Sequence, residues 1–452
     1  MTAGSQPFLA LLRSRRRLIV VAIAVALILL GGLALDLHSH GLVWRFLYNV
    51  TGEETPLKQM VGFVEYLGSF TRPQPNPNPP TPVPIPFTAA SLNPLGVNTF
   101  LEDEVEPAKR EQQLQMIQAA GFGWIRQQFR WDDIEISGRG DFTDQRNGAP
   151  ISAWDKYDNI VDLAQKYSVQ IIARLNSPPA WSQSADNAKP GYAPPADFND
   201  FVNYAAVVAT RYKGRIRFYQ VWNEPNIAPE WGNAPVNPEA YTDLLCRTYK
   251  ALKSVDPSIE VISAALAQTN ALDSQNLNDF VFLQRMYSAG AGKCFDILGA
   301  QGYGLFTGPT DRRMRPTDTT FARNVWLRDL MVANGDGAKP IWIGEMSWDP
   351  VPNDPQITDR GEYGQVTDDQ AAQYAVEAYQ RARTEWPWVG VVSYWFFKRA
   401  DDSIKTQSWY YFRLVDPDFT PRPAYYAIQQ YSGYYGCGRP QPQGRLITCL
   451  GR

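Results

Sequence analysis

Charge is absent from Leu18 through Leu35, an apolar block of eighteen residues preceded by Arg13, Arg15, Arg16 and Arg17. A block of that length is either the apolar region of a secretory signal or a short membrane-spanning helix. No small-x-small cleavage pattern follows Leu35, so the expectation is an uncleaved anchor, with residues 1–17 cytoplasmic and the rest of the chain outside the cell membrane. Cleavage would instead give a secreted protein. Residues 36–70 mix Trp44, Phe46, Leu47, Tyr48, Val61, Phe63, Val64, Tyr66 and Leu67 with scattered charges, a pattern that fits membrane-surface helices and a plain stalk equally. Residues 71–86 hold eight prolines in sixteen positions, which cannot build a core and favours extended polyproline II, so this stretch is expected to be a semi-rigid spacer.

Beyond the spacer the pattern changes. Eight short apolar runs, near Gly96–Phe100, Trp124–Arg130, Gln170–Leu175, Arg217–Trp222, Glu260–Leu266, Phe295–Tyr303, Pro340–Gly344 and Val391–Phe397, alternate with stretches whose apolar residues recur every three or four positions. The latter include Pro107–Ala120, Ala153–Lys166, Asp197–Tyr212, Pro238–Ser254, Asn278–Ala289 and Asp368–Glu385. Such alternation predicts an α/β fold with parallel strands, and eight units over residues 87–432 predict a (β/α)8 TIM barrel with enlarged loops. A doubly wound open sheet is the competing architecture. It would carry a glycine-rich phosphate loop after its first strand, and Gly96-Val97-Asn98-Thr99 is not one.

Composition narrows the chemistry. The only two histidines, His38 and His40, lie upstream of the barrel region, which excludes Ser-His-Asp and Cys-His nucleophiles and the usual histidine-ligated zinc sites there. A formal charge of −3 carries no nucleic-acid footprint. Aromatics are 13% of residues, and flat aromatic faces suit sugar rings. Four cysteines outside the cell suggest two bridges: Cys437–Cys449 stapling the tail (residues 433–452), and Cys246–Cys294 by elimination, with buried free thiols as the alternative for the second pair.

Two runs deliver carboxylates. Arg217 through Val221 leads into Trp222-Asn223-Glu224-Pro225-Asn226, and Pro340 through Gly344 leads into Glu345. Barrel active sites are assembled at the C-terminal ends of the strands, so both glutamates are expected on one face.

These two motifs resemble the fourth- and seventh-strand motifs of clan A of the glycoside hydrolases, nearest to families 39 and 5. Trp124-Ile125-Arg126, Arg211-Tyr212-Lys213-Gly214 and Pro421-Arg422-Pro423-Ala424-Tyr425 are further matches, and the resemblance covers residues 95–431. It implies that Glu224 is the acid/base and Glu345 the nucleophile of a retaining double displacement, with carboxyls about 5–5.5 Å apart, Glu224 protonated and Glu345 ionised at rest. It also implies that Arg126 lies beside Glu345, that Asn223 bonds a sugar 2-hydroxyl, that Tyr303 bonds the nucleophile, and that Trp395 forms the platform under the reacting sugar. Simple packing is the alternative role of Tyr303 and Trp395, a surface ion pair that of Arg126, and shaping of the turn that of Asn223.

The sequence departs from the family pattern at two places. Gln301 stands where those families carry a histidine two positions before the tyrosine, and the third run ends in Asn176-Ser177-Pro178-Pro179-Ala180-Trp181 rather than at a histidine. Asn176 and Trp181 are the candidates to take over substrate contact, and Trp131, Trp231 and Trp348 are candidates for further subsites. No metal or organic cofactor is called for by this chemistry. The expected partners are a polysaccharide or oligosaccharide substrate and the membrane. Transglycosylation on the same residues, and a non-catalytic carbohydrate-binding or export accessory role, stay open as alternatives.

Overall fold

The computed structural model describes residues 6–79, 84–189 and 191–436. These fall into two compact units: one of residues up to Arg72 together with Thr310–Arg313, the other from Pro73 onward. The expected Cys437–Cys449 bridge lies outside the described residues.

The first unit consists of α1 (Gln6–His38), α2 (Leu42–Thr51) and α3 (Pro56–Ser69). Within α1, Leu18–His38 is long and apolar enough to cross a membrane, with a mean hydropathy of 3.1 and none of its apolar window buried. Residues 36–70 are thus mostly helical. Arg313 joins this unit through its guanidinium, which is 5% exposed and pairs with Asp311, Glu53 and Glu65.

The second unit is the barrel. Its strands are β1 (Leu95–Thr99), β2 (Trp124–Arg130), β3 (Gln170–Asn176), β4 (Phe218–Val221), β5 (Glu260–Ile262), β6 (Leu298–Gln301), β7 (Ile341–Met346) and β8 (Val389–Tyr394). All pair in parallel, β1 with both β2 and β8, so that sequence order runs round the ring. Closure between β5 and β6 rests on the bridges Ile262–Ile297 and Leu266–Ala300. Gly299 makes that closure feasible, since a Cβ there would meet the Ser263 carbonyl oxygen at 2.3 Å. Helices α4 (Pro107–Ala119), α5 (Asp155–Lys166), α6 (Phe198–Arg211), α7 (Pro238–Val255), α8 (Asp279–Ser288), α9 (Asn324–Ala333), α10 (Asp368–Glu385) and α11 (Pro423–Gly436) follow the strands. A small hairpin, Thr143–Asp144 with Ile151–Ser152, lies in the β2–α5 connection.

Period-two alternation sorts each strand into lumen and helix-facing sides. The lumen residues nearest the strand starts, Trp124, Ile172, Phe218, Ile262, Ile297, Trp342 and Val391, pack as one buried cluster that plugs the bottom. Trp342 also donates its indole N–H to the Phe87 carbonyl at 2.9 Å. Removing a large ring from such a layer costs the transfer energy and leaves a cavity, so Trp342→Ala is expected to lower stability by about 3–5 kcal/mol, read as a fall in the urea midpoint.

Sequence and structure differ in several places. Helix α9 and the hairpin carry too weak a pattern to read from the sequence. Pairing of Cys246 with Cys294 is present and ties α7 to the segment before β6. The proline-rich stretch does not stand clear of the barrel throughout: Asn76 N–H donates to Asp329 at 2.7 Å and the Pro77 carbonyl accepts from Arg328 at 3.0 Å, both partners on α9. Trp131, Trp231 and Trp348 are 0%, 3% and 1% exposed, packed beneath the loops, and are not among the residues that line the cleft at the strand ends.

Candidate active site

Above the plug the lumen turns polar. Arg126, two residues beyond Trp124 on the inward side of β2, is 2% exposed and organises this layer. Its Nε donates to Gln220 at 2.7 Å, one terminal nitrogen to Asn98 at 2.7 Å and to Glu345 at 2.9 Å, and the other to Asn223 at 2.7 Å. Four of its five N–H donors are engaged, so a buried cation is satisfied without water.

Glu345 reaches this layer through a distortion in β7. Register runs Ala300 to Ile343 on one side and Val392 to Ile343 on the other, then jumps to Gln301–Glu345 and Tyr394–Met346. The extra residue is a β-bulge, which bends the strand and re-aims a side chain that plain alternation from Trp342 would turn outward. In the lumen, one Glu345 carboxyl oxygen accepts from Arg126, with Arg174 at 3.7 Å, and the other accepts from the Tyr303 hydroxyl at 2.7 Å. Burial, and then the charge of Glu345, push the Tyr303 hydroxyl well above its ordinary range, so it remains a donor.

The end of β4 is bent differently. Trp222 and Glu224 hold φ of 73° and 44°, a left-handed conformation that costs a non-glycine residue of order 1–3 kcal/mol. That geometry sends the Trp222 ring outward against Phe201 and Trp231, at 5.7 and 5.4 Å, while Asn223 and Glu224 turn to the lumen. Glu224 has surroundings unlike those of Glu345. Among the described residues its carboxyl accepts one hydrogen bond, from the Gln301 side-chain amide, and no guanidinium pairs with it. Burial first, then the charges of Glu345 and Glu230, push its carboxyl up to about 8, against the lowering effects of Gln301 and Arg126.

Both glutamates open into one cleft of about 440 Å³ at the C-terminal face of the barrel. Asn176, Asn223 and Trp395 line it too, while Arg126 and Tyr303 sit beneath and act on it through Glu345. The Trp395 ring meets Phe100 edge-on at 5.5 Å. Trp181 is not among the lining residues. Its indole donates to the Glu135 carbonyl at 2.9 Å and its ring packs on Trp131, so it supports the loop instead of the cleft.

Several lining groups escaped the sequence reading. Arg174 is one: with the expected Asn176 it continues the inward alternation of β3 from Ile172, and an arginine inside an apolar run was the legible signal. Among the described residues the Arg174 Nε and the Asn176 side-chain oxygen are buried without a partner, and desolvation lowers the Arg174 guanidinium to about 10. Glu230, from the β4–α7 loop, also faces the cleft, with its carboxyl raised to about 7 mainly by burial. Arg130 at the end of β2, with Arg399 and Trp409 from the loops after β8, also lines the cleft, and such loop residues have no periodic signal.

Gln301 replaces the expected histidine with a group that serves both protonation states. Its N–H donates to the Glu224 carboxylate, and its own amide oxygen is buried and unpartnered, so an amide rotation would let that oxygen accept from the carboxylic acid. The N–H donor favours the charged carboxyl. Gln301→Met is therefore expected to raise the Glu224 value by about one unit, seen as an upward shift of the alkaline limb of kcat/KM.

No protein-family model matches the chain. Over 120 residues it is 28% identical to a β-xylosidase of Geobacillus stearothermophilus, a match spanning 24% of this chain and 23% of that protein, so it reaches about a quarter of the relative's length. Among solved structures it is similar to a family 39 glycoside hydrolase from Bacteroides cellulosilyticus WH2, with a TM-score of 0.56, 18% identity, 75% of this chain and 63% of the other covered. A family 39 enzyme from Xanthomonas axonopodis pv. citri superimposes with a TM-score of 0.52 at 17% identity, covering 82% and 71%. A family 5 protein, subfamily 18, from Streptomyces cattleya, solved in complex with GlcNAc, gives 0.55 at 16% identity, covering 77% and 81%. The second unit therefore has the (β/α)8 fold that family 39 and family 5 glycoside hydrolases of clan A share.

Proposed function

We propose that this protein is a membrane-anchored, retaining β-glycoside hydrolase acting on a polysaccharide or oligosaccharide outside the cell membrane. The observation that carries the reading is the contrast between two carboxyls facing one cleft. Glu224 is pushed up to about 8 and touches no cation, while Glu345 is gripped by Arg126 and Tyr303. Glycoside cleavage needs that asymmetry: a carboxylic acid to protonate the leaving oxygen and a carboxylate to attack the anomeric carbon.

In the first step the Glu345 carboxylate attacks the anomeric carbon as Glu224 gives its proton to the departing oxygen. In the second, Glu224 takes a proton from water, which attacks the glycosyl-enzyme and releases Glu345. Asn223, held by Arg126, is placed to bond the sugar's 2-hydroxyl, and Trp395 to lie under its ring. Arg13, Arg15, Arg16 and Arg17 before the apolar helix support an orientation that leaves the barrel outside.

The test is the full-length chain in detergent with a panel of β-linked polysaccharides and aryl β-glycosides, products resolved by size and anomeric configuration. Cleavage with retention supports the reading. Inversion would overturn the retaining mechanism, products larger than the substrate would make the protein a transglycosylase, and tight glycan binding without cleavage would make it an accessory protein.

A further inference from the structure

In α3 the usual distribution of polarity is reversed. Leu57, Met60, Val61, Val64 and Leu67 recur at three- and four-residue spacing, and they are 77%, 50%, 55%, 69% and 52% exposed. The side turned inward carries Gln59, Gly62 and Ser69, all buried. The Gln59 side-chain amide donates there to the Trp44 carbonyl at 3.3 Å and the Ser69 hydroxyl to the Tyr66 carbonyl at 2.6 Å. A helix on a water-soluble protein has its apolar stripe inward and its polar face outward, so α3 is turned for a nonaqueous neighbour.

On α2 the same outward polarity appears at Leu42, Val43 and Phe46, and Phe70 follows α3. Among the described residues, 42–70 thus expose nine large apolar side chains, whereas the far longer stretch 87–433 exposes eight. An apolar density of that kind marks a contact surface.

Position identifies the occupant. Leu18–His38 is 21 residues, about 31 Å at 1.5 Å per residue, which matches a hydrocarbon core of about 30 Å. The α2–α3 pair begins four residues later, at the depth where the bilayer ends. The corner is fixed: Asp36 on α1 accepts from the Trp44 backbone N–H at 3.0 Å, the Asp36 carbonyl accepts from Gly41 at 2.8 Å, and His40 stacks on Trp44 at 4.0 Å.

We propose that the outward stripe of α2 and α3 lies in the headgroup–acyl boundary of the bilayer that α1 crosses, as an interfacial hairpin and a second membrane contact. The proposal rests on the reading of α1 as an anchor. Lys58, exposed beside Leu57, is placed to extend its ammonium to lipid phosphates while its stem stays in the apolar layer. The hairpin would then be held in the membrane plane.

The test is site-directed spin labelling of the full-length chain in phosphatidylcholine/phosphatidylglycerol nanodiscs, with Cys437→Ser and Cys449→Ser as background. Labels go one at a time on Leu57→Cys, Val61→Cys and Val64→Cys, with Ile28→Cys reporting α1 and Ser288→Cys on α8 reporting the barrel surface. Collision with lipid-soluble oxygen is compared with collision with an aqueous nickel chelate. The expected result is a several-fold preference for oxygen at the three α3 sites and at Ile28, and the reverse at Ser288. Nickel preference at the α3 sites with oxygen preference at Ile28 would overturn the hairpin and leave the anchor standing. Nickel preference at Ile28 would overturn both. Exclusion of both probes from α3, with spin–spin broadening between chains, would overturn the lipid contact in favour of a second copy of this chain.

Discussion

Glu345→Gln is expected to abolish turnover, lowering kcat by several orders of magnitude on every β-glycoside that the wild-type protein cleaves. An amide is uncharged and a poor nucleophile, so the glycosyl-enzyme cannot form, and residues that act as one unit lose nearly everything when one is removed. Folding survives for a structural reason. The new side-chain oxygen can still accept from Arg126 or from Tyr303, and Arg126 retains Gln220, Asn98 and Asn223. Some stability is lost, because Arg126 and Arg174 now share the lumen without an anion between them. Steady-state rates alongside a circular-dichroism melt separate these effects. A folded variant keeping more than about a hundredth of the wild-type kcat would remove Glu345 from the nucleophile's role, since losing covalent catalysis is expected to cost far more than that.

Glu224→Gln is expected to behave differently. Loss of general acid catalysis costs about 10²- to 10⁴-fold, and the cost falls on substrates whose leaving group needs a proton. An aryl glycoside with an acidic phenol should form its glycosyl-enzyme at close to the wild-type rate and then stall, because no base remains to activate water. The pH profile supplies a second readout. Activity requires the protonated acid, and burial with the neighbouring carboxyls holds that proton up to about 8, so wild-type kcat/KM should fall above that value by about tenfold per pH unit. The amide has no proton to lose, so the limb should vanish from the variant. Rapid-quench measurement of the aryl burst across roughly pH 6–10, on either side of about 8, tests both expectations. A variant retaining the limb, or losing rate equally on all leaving groups, would assign the proton to another group, with Glu230 the first candidate because its carboxyl is raised to about 7 in the same cleft.

Much of this arrangement was readable along the chain. Period-two and period-3.6 alternation is a local consequence of backbone geometry, so the eight apolar runs, most of the helices between them and the parallel barrel they predict follow from the residues themselves. Arg126, Glu224 and Glu345 announced themselves as charged residues in or just after apolar runs. The apolar block at Leu18 was equally plain, since length and absence of charge are properties of composition.

Other features depended on contacts between distant segments. The bulge that turns Glu345 inward is a mismatch of β7 against two neighbours, and no single strand carries that information. Left-handed backbone at Trp222 and Glu224 is held by packing against α6 and the following loop, against local preference. Burial alone separated Trp395, open to the cleft, from Trp131, Trp231 and Trp348, which are the same residue type in similar strand-end positions. Loop groups such as Glu230 reach the cleft by routes without periodicity, and the reversed polarity of α3 shows only once a fold decides which side faces in. The sequence by itself determined the periodic elements and the residue types able to do acid, base and nucleophile chemistry; the tertiary structure alone decided which of them meet, because burial, register and pKa are properties of neighbours rather than of residues.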